Sequence, residues 1–261
     1  MNRDHHIGDD VLSRLLVHLK ENEPDHIAVT GDLINLGLDE EIHLAKEWLE
    51  SLGDPQSVSV VPGNHDAYVA GCLEHAAETW APFMQDGPGL PTFPYQRRRG
   101  KLALIGVNTG CLTFPFMATG CFDQKQADAL QALLSSAKDA ALFRIVMIHH
   151  PPFENATSFH KRLVGASLFR EVVANVGAEL ILHGHTHINS HQHISGPNKA
   201  VPVIGVPSAS HGWHSGASKP AARYNMFEIG GAVDKWTCTM TEYGVTDASN
   251  SIQKISENGI Y

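Results

Sequence analysis

Four short polar clusters in this chain each follow directly on a short apolar run rich in β-branched residues. No other feature constrains the fold as tightly. The clusters are Gly31-Asp32, Gly63-Asn64-His65-Asp66, His149-His150-Pro151-Pro152 and Gly184-His185-Thr186-His187. The runs behind them span His26–Thr30, Ser57–Val61, Arg144–Ile148 and Glu179–Leu182. Brief β-branched stretches closed by turn residues read as buried strands. In layered α/β folds, ligands bind beyond the carboxyl ends of such strands. Four strands should therefore deliver Asp, Asn and His to one rim, as one dinuclear metal site. A fifth and weaker cluster is Asp4-His5-His6.

The chain has 261 residues and 43% hydrophobic content, enough for a sizeable core. It lacks an unbroken run of about 18 apolar residues, so no membrane span is expected. Met1-Asn2-Arg3-Asp4-His5-His6 has no apolar segment of signal-peptide type. A net charge of −9 with a pI near 6.0 disfavours an extended nucleic-acid surface. The basic run Arg97-Arg98-Arg99 reads as a solvated loop before a strand near Leu102. Cys72, Cys111, Cys121 and Cys238 form no CxxC pair, which excludes a zinc ribbon or thioredoxin motif. Their wide spacing, with no export signal, suggests reduced thiols and a cytoplasmic protein.

Apolar spacing predicts a helix from Ile7 to Leu19, closed before Pro24. A second helix runs from a cap at Asp39 to Leu52, and a third from Gln124 to Ala137. A fourth starts at Ser167 and ends before Gly177. Lys101–Val107 reads as a further strand, and residues 67–100 as an irregular covering segment with a short helix. After His187 the pattern changes. His191–Ser195, Ala200–Gly205, Tyr224–Ile229 and Trp236–Tyr243 read as strands without helices between them. One domain over 1–261 is the simpler reading, with 1–7 irregular and 188–261 a β-rich second-sheet portion.

Each cluster has a bland reading beside the chemical one. Asp32 can bridge two cations, or it can simply make an Asx-turn. Asn64 offers a neutral oxygen, His65 a proton or a cation for phosphate, and Asp66 a hydrogen bond that fixes the His65 ring. A polar turn would use the same letters. His149 is either a satisfied core histidine or a ligand whose exit is stiffened by Pro151 and Pro152; His150 would then be a supporting residue. In extended chain His185 and His187 share a side and converge. Oxygen and nitrogen donors without cysteine suit Mn, Fe or Zn and argue against a site for Mg alone.

In this order the motifs resemble the calcineurin-like metallophosphoesterase superfamily, whose pattern runs D-x-H, G-D, G-N-H-[D/E], H, G-H-x-H. His149-His150-Pro151-Pro152 and Gly120-Cys121-Phe122-Asp123-Gln124 look like its cyclic-nucleotide and glycerophosphodiester phosphodiesterase branch. The resemblance implies an α/β (α+β) fold, a four-layer αββα sandwich of two mixed sheets flanked by helices. It implies hydrolysis of a small phosphodiester through a metal-activated hydroxide and two divalent metal ions. Asp32 would bridge them, with Asn64, His149 and His185 on one and His187 on the other. His65 would be the catalytic acid, oriented by Asp66.

One departure stands out. Asp4-His5-His6 has the letters of D-x-H, yet only Met1-Asn2-Arg3 precede it, too few for a buried strand. The favoured reading is a fortuitous match, with the true first strand lying upstream and only one metal held firmly. In the other reading Asp4 and His6 bind without a preceding strand. Two competitors follow. One is a non-catalytic or impaired metal-binding scaffold on the same fold. The other is a serine hydrolase using Ser208 or Ser210 with His211, which lacks the G-x-S-x-G elbow.

Overall fold

The computed structural model describes residues 9–261. The Asp4-His5-His6 cluster lies outside the described residues. The helices are α1 (Asp9–Glu21), α2 (Asp39–Leu52), α3 (Cys72–Thr79), α4 (Gln124–Asp139) and α5 (Ala166–Val176). None of them is long and apolar enough to cross a membrane. The first strands are β1 (Ile27–Val29), β2 (Val58–Val60), β3 (Tyr95–Arg99), β4 (Leu102–Val107) and β5 (Gly120–Cys121). There follow β6 (Phe143–Ile148), β7 (Leu163–Val164), β8 (Leu180–His183), β9 (Ser190–Ile194) and β10 (Val201–Gly205). The last three are β11 (Arg223–Gly230), β12 (Thr237–Val245) and β13 (Ile252–Gly259).

Helix starts follow local chemistry. At α2 the Glu41 carboxylate accepts from the backbone N–H groups of Asn35, Leu36 and Leu38, which is the glutamate half of a capping box, the N-cap Leu38 having no side-chain acceptor. Asp39, expected to be the cap, sits one residue inside the helix and contributes charge to its first turn. Asp123 caps α4 by accepting from the N–H of Gln126.

The contacts group into two compact units. The larger holds His26–His185 and His191–Ile204. Its main sheet has six strands in the order β3-β4-β6-β8-β10-β9. β4, β6 and β8 run parallel, and β3 is antiparallel to β4. β1 and β2 pair in parallel, with Ile27 opposite Val58. Ile105, Val107, Val146, Ile148, Ile181 and Val203 face Leu130, Leu134, Phe169 and Val173 in one core. Strands buried on both sides show no alternation, which is why their runs are continuously apolar.

The smaller unit holds the described residues up to Asp25, with Thr186–Ser190 and Gly205–Tyr261. Its sheet is an antiparallel meander, β11-β12-β13, with an irregularity between Glu242 and Tyr243. Val11 and Leu15 of α1 pack on Ala222, Tyr224 and Val245.

Three expectations are corrected. β9 and β10, read as part of a tail sheet, belong to the six-stranded sheet, so the segment after 187 is shared between two sheets. The Arg97-Arg98-Arg99 run is not a solvated loop. It is β3, and Arg97 is fully buried at 0% exposure. Cys111 and Cys121 are not separate thiols but form a disulfide. The backbone bond from Cys121 N–H to Thr109 O folds the loop after β4 back beside β5 and brings the two together.

Candidate metal centre

The strand exits of the larger unit meet as the runs predict. β1 ends into Gly31-Asp32, β2 into Gly63-Asn64, β6 into His149-His150 and β8 into Gly184-His185. Gly31 and Gly63 allow the first two loops to touch. Gly31 has φ +93°, and a Cβ there would lie 2.6 Å from the Gly63 backbone nitrogen. A Cβ on Gly63 would lie 2.2 Å from Asp32 Oδ1. Any larger residue would push the loops apart.

Asp66 ties those loops together. Its buried carboxylate accepts from the backbone N–H groups of Asp32, Leu33, Ile34 and Gly63, at 2.7–3.1 Å. This corrects the expectation that Asp66 aims the His65 ring. In the tight turn at His65–Ala67, neighbouring side chains diverge, and Asp66 points inward while His65 stays nearer solvent. Burial and the Asp32 charge push the Asp66 carboxyl up to about 6, while the amide donors favour its ionised form. The His65 ring is placed instead by the Asn35 carbonyl, 3.2 Å from Nδ1, and lies stacked on Tyr68.

Four side-chain atoms converge. His149 Nε2 lies 3.2 Å from Asn64 Oδ1 and 3.4 Å from Asp32 Oδ1. His185 Nδ1 lies 2.9 Å from the same Asn64 oxygen. The outer ring atoms fix the tautomers. His149 Nδ1 is 2.6 Å from Thr30 O, and His185 Nε2 is 2.9 Å from Lys161 O. A carbonyl can only accept, so each of those nitrogens carries the proton. In the neutral rings the inward nitrogens carry lone pairs, and they then face oxygen lone pairs. Turning the Asn64 amide over would supply N–H donors to both rings. It would still leave Asp32 Oδ1 against His149 Nε2.

Electrostatics agree. Burial holds His185 down to about 3, with His149 adding to the effect, and holds His150 well below its usual value. Both rings are neutral, the form that ligates metal. Burial alone would raise Asp32, but His149 and His65 bring it below the ordinary carboxylate value. Asp32 and His185 also adopt left-handed backbone, with φ of 64° and 66°. Strain of this kind at non-glycine residues persists where the surroundings enforce it, and it concentrates at functional sites.

His150 is a member that the sequence reading left as a supporting residue. Nitrogen atoms of His149, His150 and His185 all lie within 4.8 Å of one another. His150 nevertheless spends both nitrogens on protein, Nδ1 with Thr109 Oγ1 at 2.7 Å and Nε2 with Ala118 O at 3.2 Å. It packs against the rings of His149 and His185 and holds them. The fit for a divalent cation is therefore Asp32, Asn64, His149 and His185, two oxygens and two imidazole nitrogens.

Comparison with known proteins bears on this set. The calcineurin-like phosphoesterase family matches residues 4–189. The chain belongs to that family. Among solved structures, a dimetal phosphatase from Danio rerio aligns with a TM-score of 0.61 at 12% identity, covering 96% of this chain and 88% of that one. A Vps29 double mutant from Entamoeba histolytica aligns with a TM-score of 0.42 at 14% identity, covering 97% and 89%. The likeness to the Danio rerio protein is one of fold. The curated proteins gave no match.

In this calcineurin-like chain the remaining candidates fall as follows. His187 lies in the smaller unit, with φ 56°, its ring against His211 and its Nδ1 3.2 Å from Lys219 Nζ. The chain from His185 to His187 is not extended, so the expected same-side rule for alternate residues does not apply there. Ser208 and Ser210 share a hydrogen bond with each other at 3.1 Å.

Proposed function

We propose that this protein is a metal-dependent phosphoesterase whose cation is held by Asp32, Asn64, His149 and His185. The observation that carries the reading is the proton count at their meeting point. With both rings neutral, their outer protons are held by Thr30 O and Lys161 O, and Asp32 Oδ1 faces the His149 Nε2 lone pair at 3.4 Å whichever way the Asn64 amide lies. Such an arrangement is repulsive until a positive charge enters it. A divalent cation there supplies Lewis acidity to a phosphate oxygen and lowers the pKa of water. The carbonyls of Thr30 and Lys161 set ligand direction, as outer partners of metal-bound histidines do.

His65 is read as the proton donor to the leaving oxygen. The Asn35 carbonyl keeps a proton on Nδ1 in either charge state, so Nε2 is the nitrogen whose proton can leave. A second cation with His187 among its ligands, and Asp4 and His6 as further candidates, remain proposals on the motif pattern. So do phosphodiester specificity, which rests on the His149-His150-Pro151-Pro152 pattern, and a choice among Mn, Fe and Zn.

The test loads chelator-treated protein with Mn, Zn or Fe(II), measures bound metal, and follows hydrolysis of bis(p-nitrophenyl) phosphate and p-nitrophenyl phosphate. The reading expects at least one tightly bound ion and activity that chelator abolishes and metal restores. Metal bound without turnover of either ester would favour the scaffold reading. Chelator-resistant hydrolysis would exclude the metal reading.

A further inference from the structure

Beside the histidine cluster the chain exposes large apolar side chains. Phe114 is 84% exposed, Phe116 99%, Phe159 64% and Leu112 63%. The first of the two segments bearing them, 112–118, lies between Cys111 and Cys121 and is closed at its base by that disulfide. Phe116 holds a φ of +68°, uncommon for a bulky residue, and this turns it outward. The second segment is the turn at Phe159–Lys161. Ala118 N–H donates to His160 O, and His160 Nδ1 meets Met117 Sδ at 3.2 Å, so the two segments are joined. Both also reach the centre. Ala118 O contacts His150 Nε2 at 3.2 Å, and Lys161 O contacts His185 Nε2 at 2.9 Å.

We propose that these two segments dock on an anionic phospholipid surface and bring the histidine cluster to phosphodiester headgroups. A small apolar ligand is disfavoured, because a side chain exposed over 99% of its surface walls no pocket. It loses water only against an extended surface, and the charges around it favour an anionic bilayer. Residues 111–122 contain no charged side chain, and 155–165 contain Lys161 and Arg162 with no acid. The Arg162 guanidinium lies 3.6 Å over the Phe159 ring, so a cation sits directly on one of the aromatic tips. Aromatic tips flanked by Lys and Arg are the composition of interfacial anchors. In a chain of net charge −9, this local excess of cations runs against the average. The substrate half of the proposal, a membrane phosphodiester, rests on the phosphoesterase reading; the docking half does not.

The experiment separates the halves. Flotation in chelator, where no turnover occurs, compares vesicles of phosphatidylcholine alone with vesicles also containing phosphatidylglycerol. The wild type should float with the mixed vesicles and much less with phosphatidylcholine. Phe114→Ser with Phe116→Asn should float at least about tenfold less, since Asn tolerates the left-handed backbone. Lys161→Gln with Arg162→Gln should lose the preference for phosphatidylglycerol. In metal, the Phe variant should keep hydrolysis of bis(p-nitrophenyl) phosphate and lose release of headgroup from vesicles. Wild-type protein that stays unbound, or a Phe variant that floats equally, overturns docking. Docking with soluble-ester hydrolysis but without headgroup release overturns the substrate half. Docking without hydrolysis of any ester counts against the phosphoesterase reading and leaves docking supported.

Discussion

Two regions of the larger unit bury polar groups, and they do so in opposite ways. Around Arg97 every donor meets an acceptor. Nε donates to Asp86, and the two Nη atoms donate to Ser59 Oγ and to the carbonyls of Phe83, Val58 and Pro55. Around the neutral rings of His149 and His185 acceptors outnumber donors, and Asp32 Oδ1 meets His149 Nε2 without a proton between them whichever way the Asn64 amide lies. The Arg97 guanidinium is held without any added ion and braces β3 against β2. The second region becomes complete only when a cation arrives. Burial of a polar side chain is thus not in itself a mark of function. The balance of donors and acceptors separates the two cases.

The sharpest way to break this comparison is to remove one acceptor from the second region. Asp32→Asn should leave the fold intact and reduce hydrolysis by about 10³-fold, through loss of the charge that stabilises the cation. Metal titration and urea unfolding of the same preparation check it. A large fall in stability with activity retained would place Asp32 among the bracing groups. Next in size is His65→Ala. Turnover should fall by roughly 10²-fold or more, with metal content unchanged, because general acid catalysis has that magnitude. A p-nitrophenolate leaving group should be hurt less than an alkoxide, and equal losses would remove His65 from the acid role.

Arg97→Met reverses the pattern. Metal affinity should stay the same, while stability should fall by about 3 kcal/mol, because several buried carbonyls lose their donors. The urea midpoint gives the stability, and a metal titration gives the other half. Thr109→Val probes the boundary between the regions. It keeps the shape but removes the partner of His150 Nδ1, so the ring that holds His149 and His185 can turn. Metal affinity should drop roughly tenfold, as for other outer partners of ligating histidines. No change would mean that packing alone holds His150.

The two regions also differ in how much of them could be read from sequence. The exits at Asp32, Asn64, His149 and His185 were readable because short parallel strands rich in β-branched residues end abruptly, and the polar residue ending each run marks the rim; β6 is buried throughout, whereas β1 is only partly buried. β3 was not readable, because its inward residues are Tyr95 and Arg97 and its outward residues, Gln96 and Arg98, are polar too. Alternation of buried and exposed carries no hydropathy signal when an arginine is on the buried side. β13, Ile-Gln-Lys-Ile-Ser-Glu-Asn-Gly, fails for another reason: none of its residues is fully buried, and its two isoleucines are three apart rather than alternating. The partner of Asp66 was misread because a tight turn separates adjacent side chains that an extended chain would keep near each other. The disulfide depends on a loop returning over nine intervening residues, and spacing does not encode that return.

The smallest expected effect comes from the edge of the Arg97 region. Arg97 donates to Ser59 Oγ, and Ser59 in turn meets His26 Nε2 at 2.8 Å. The serine hydroxyl can then donate to His26, which accepts only while neutral. Burial, followed by the charges of Arg97 and Arg99, holds His26 down to about 4 against an ordinary 6.5. Between those values the unfolded chain binds a proton that the folded chain refuses. Stability from this residue is complete above pH 6.5, falls as the pH drops toward 4, and levels off below it. His26→Gln keeps a polar partner for Ser59 and removes the titration. The variant and the parent should therefore have urea midpoints that differ by one amount at pH 7 and by a smaller, or reversed, amount at pH 4.5. Parallel pH profiles would mean that His26 is protonated in the fold, and that the hydroxyl chain from Arg97 ends at Ser59.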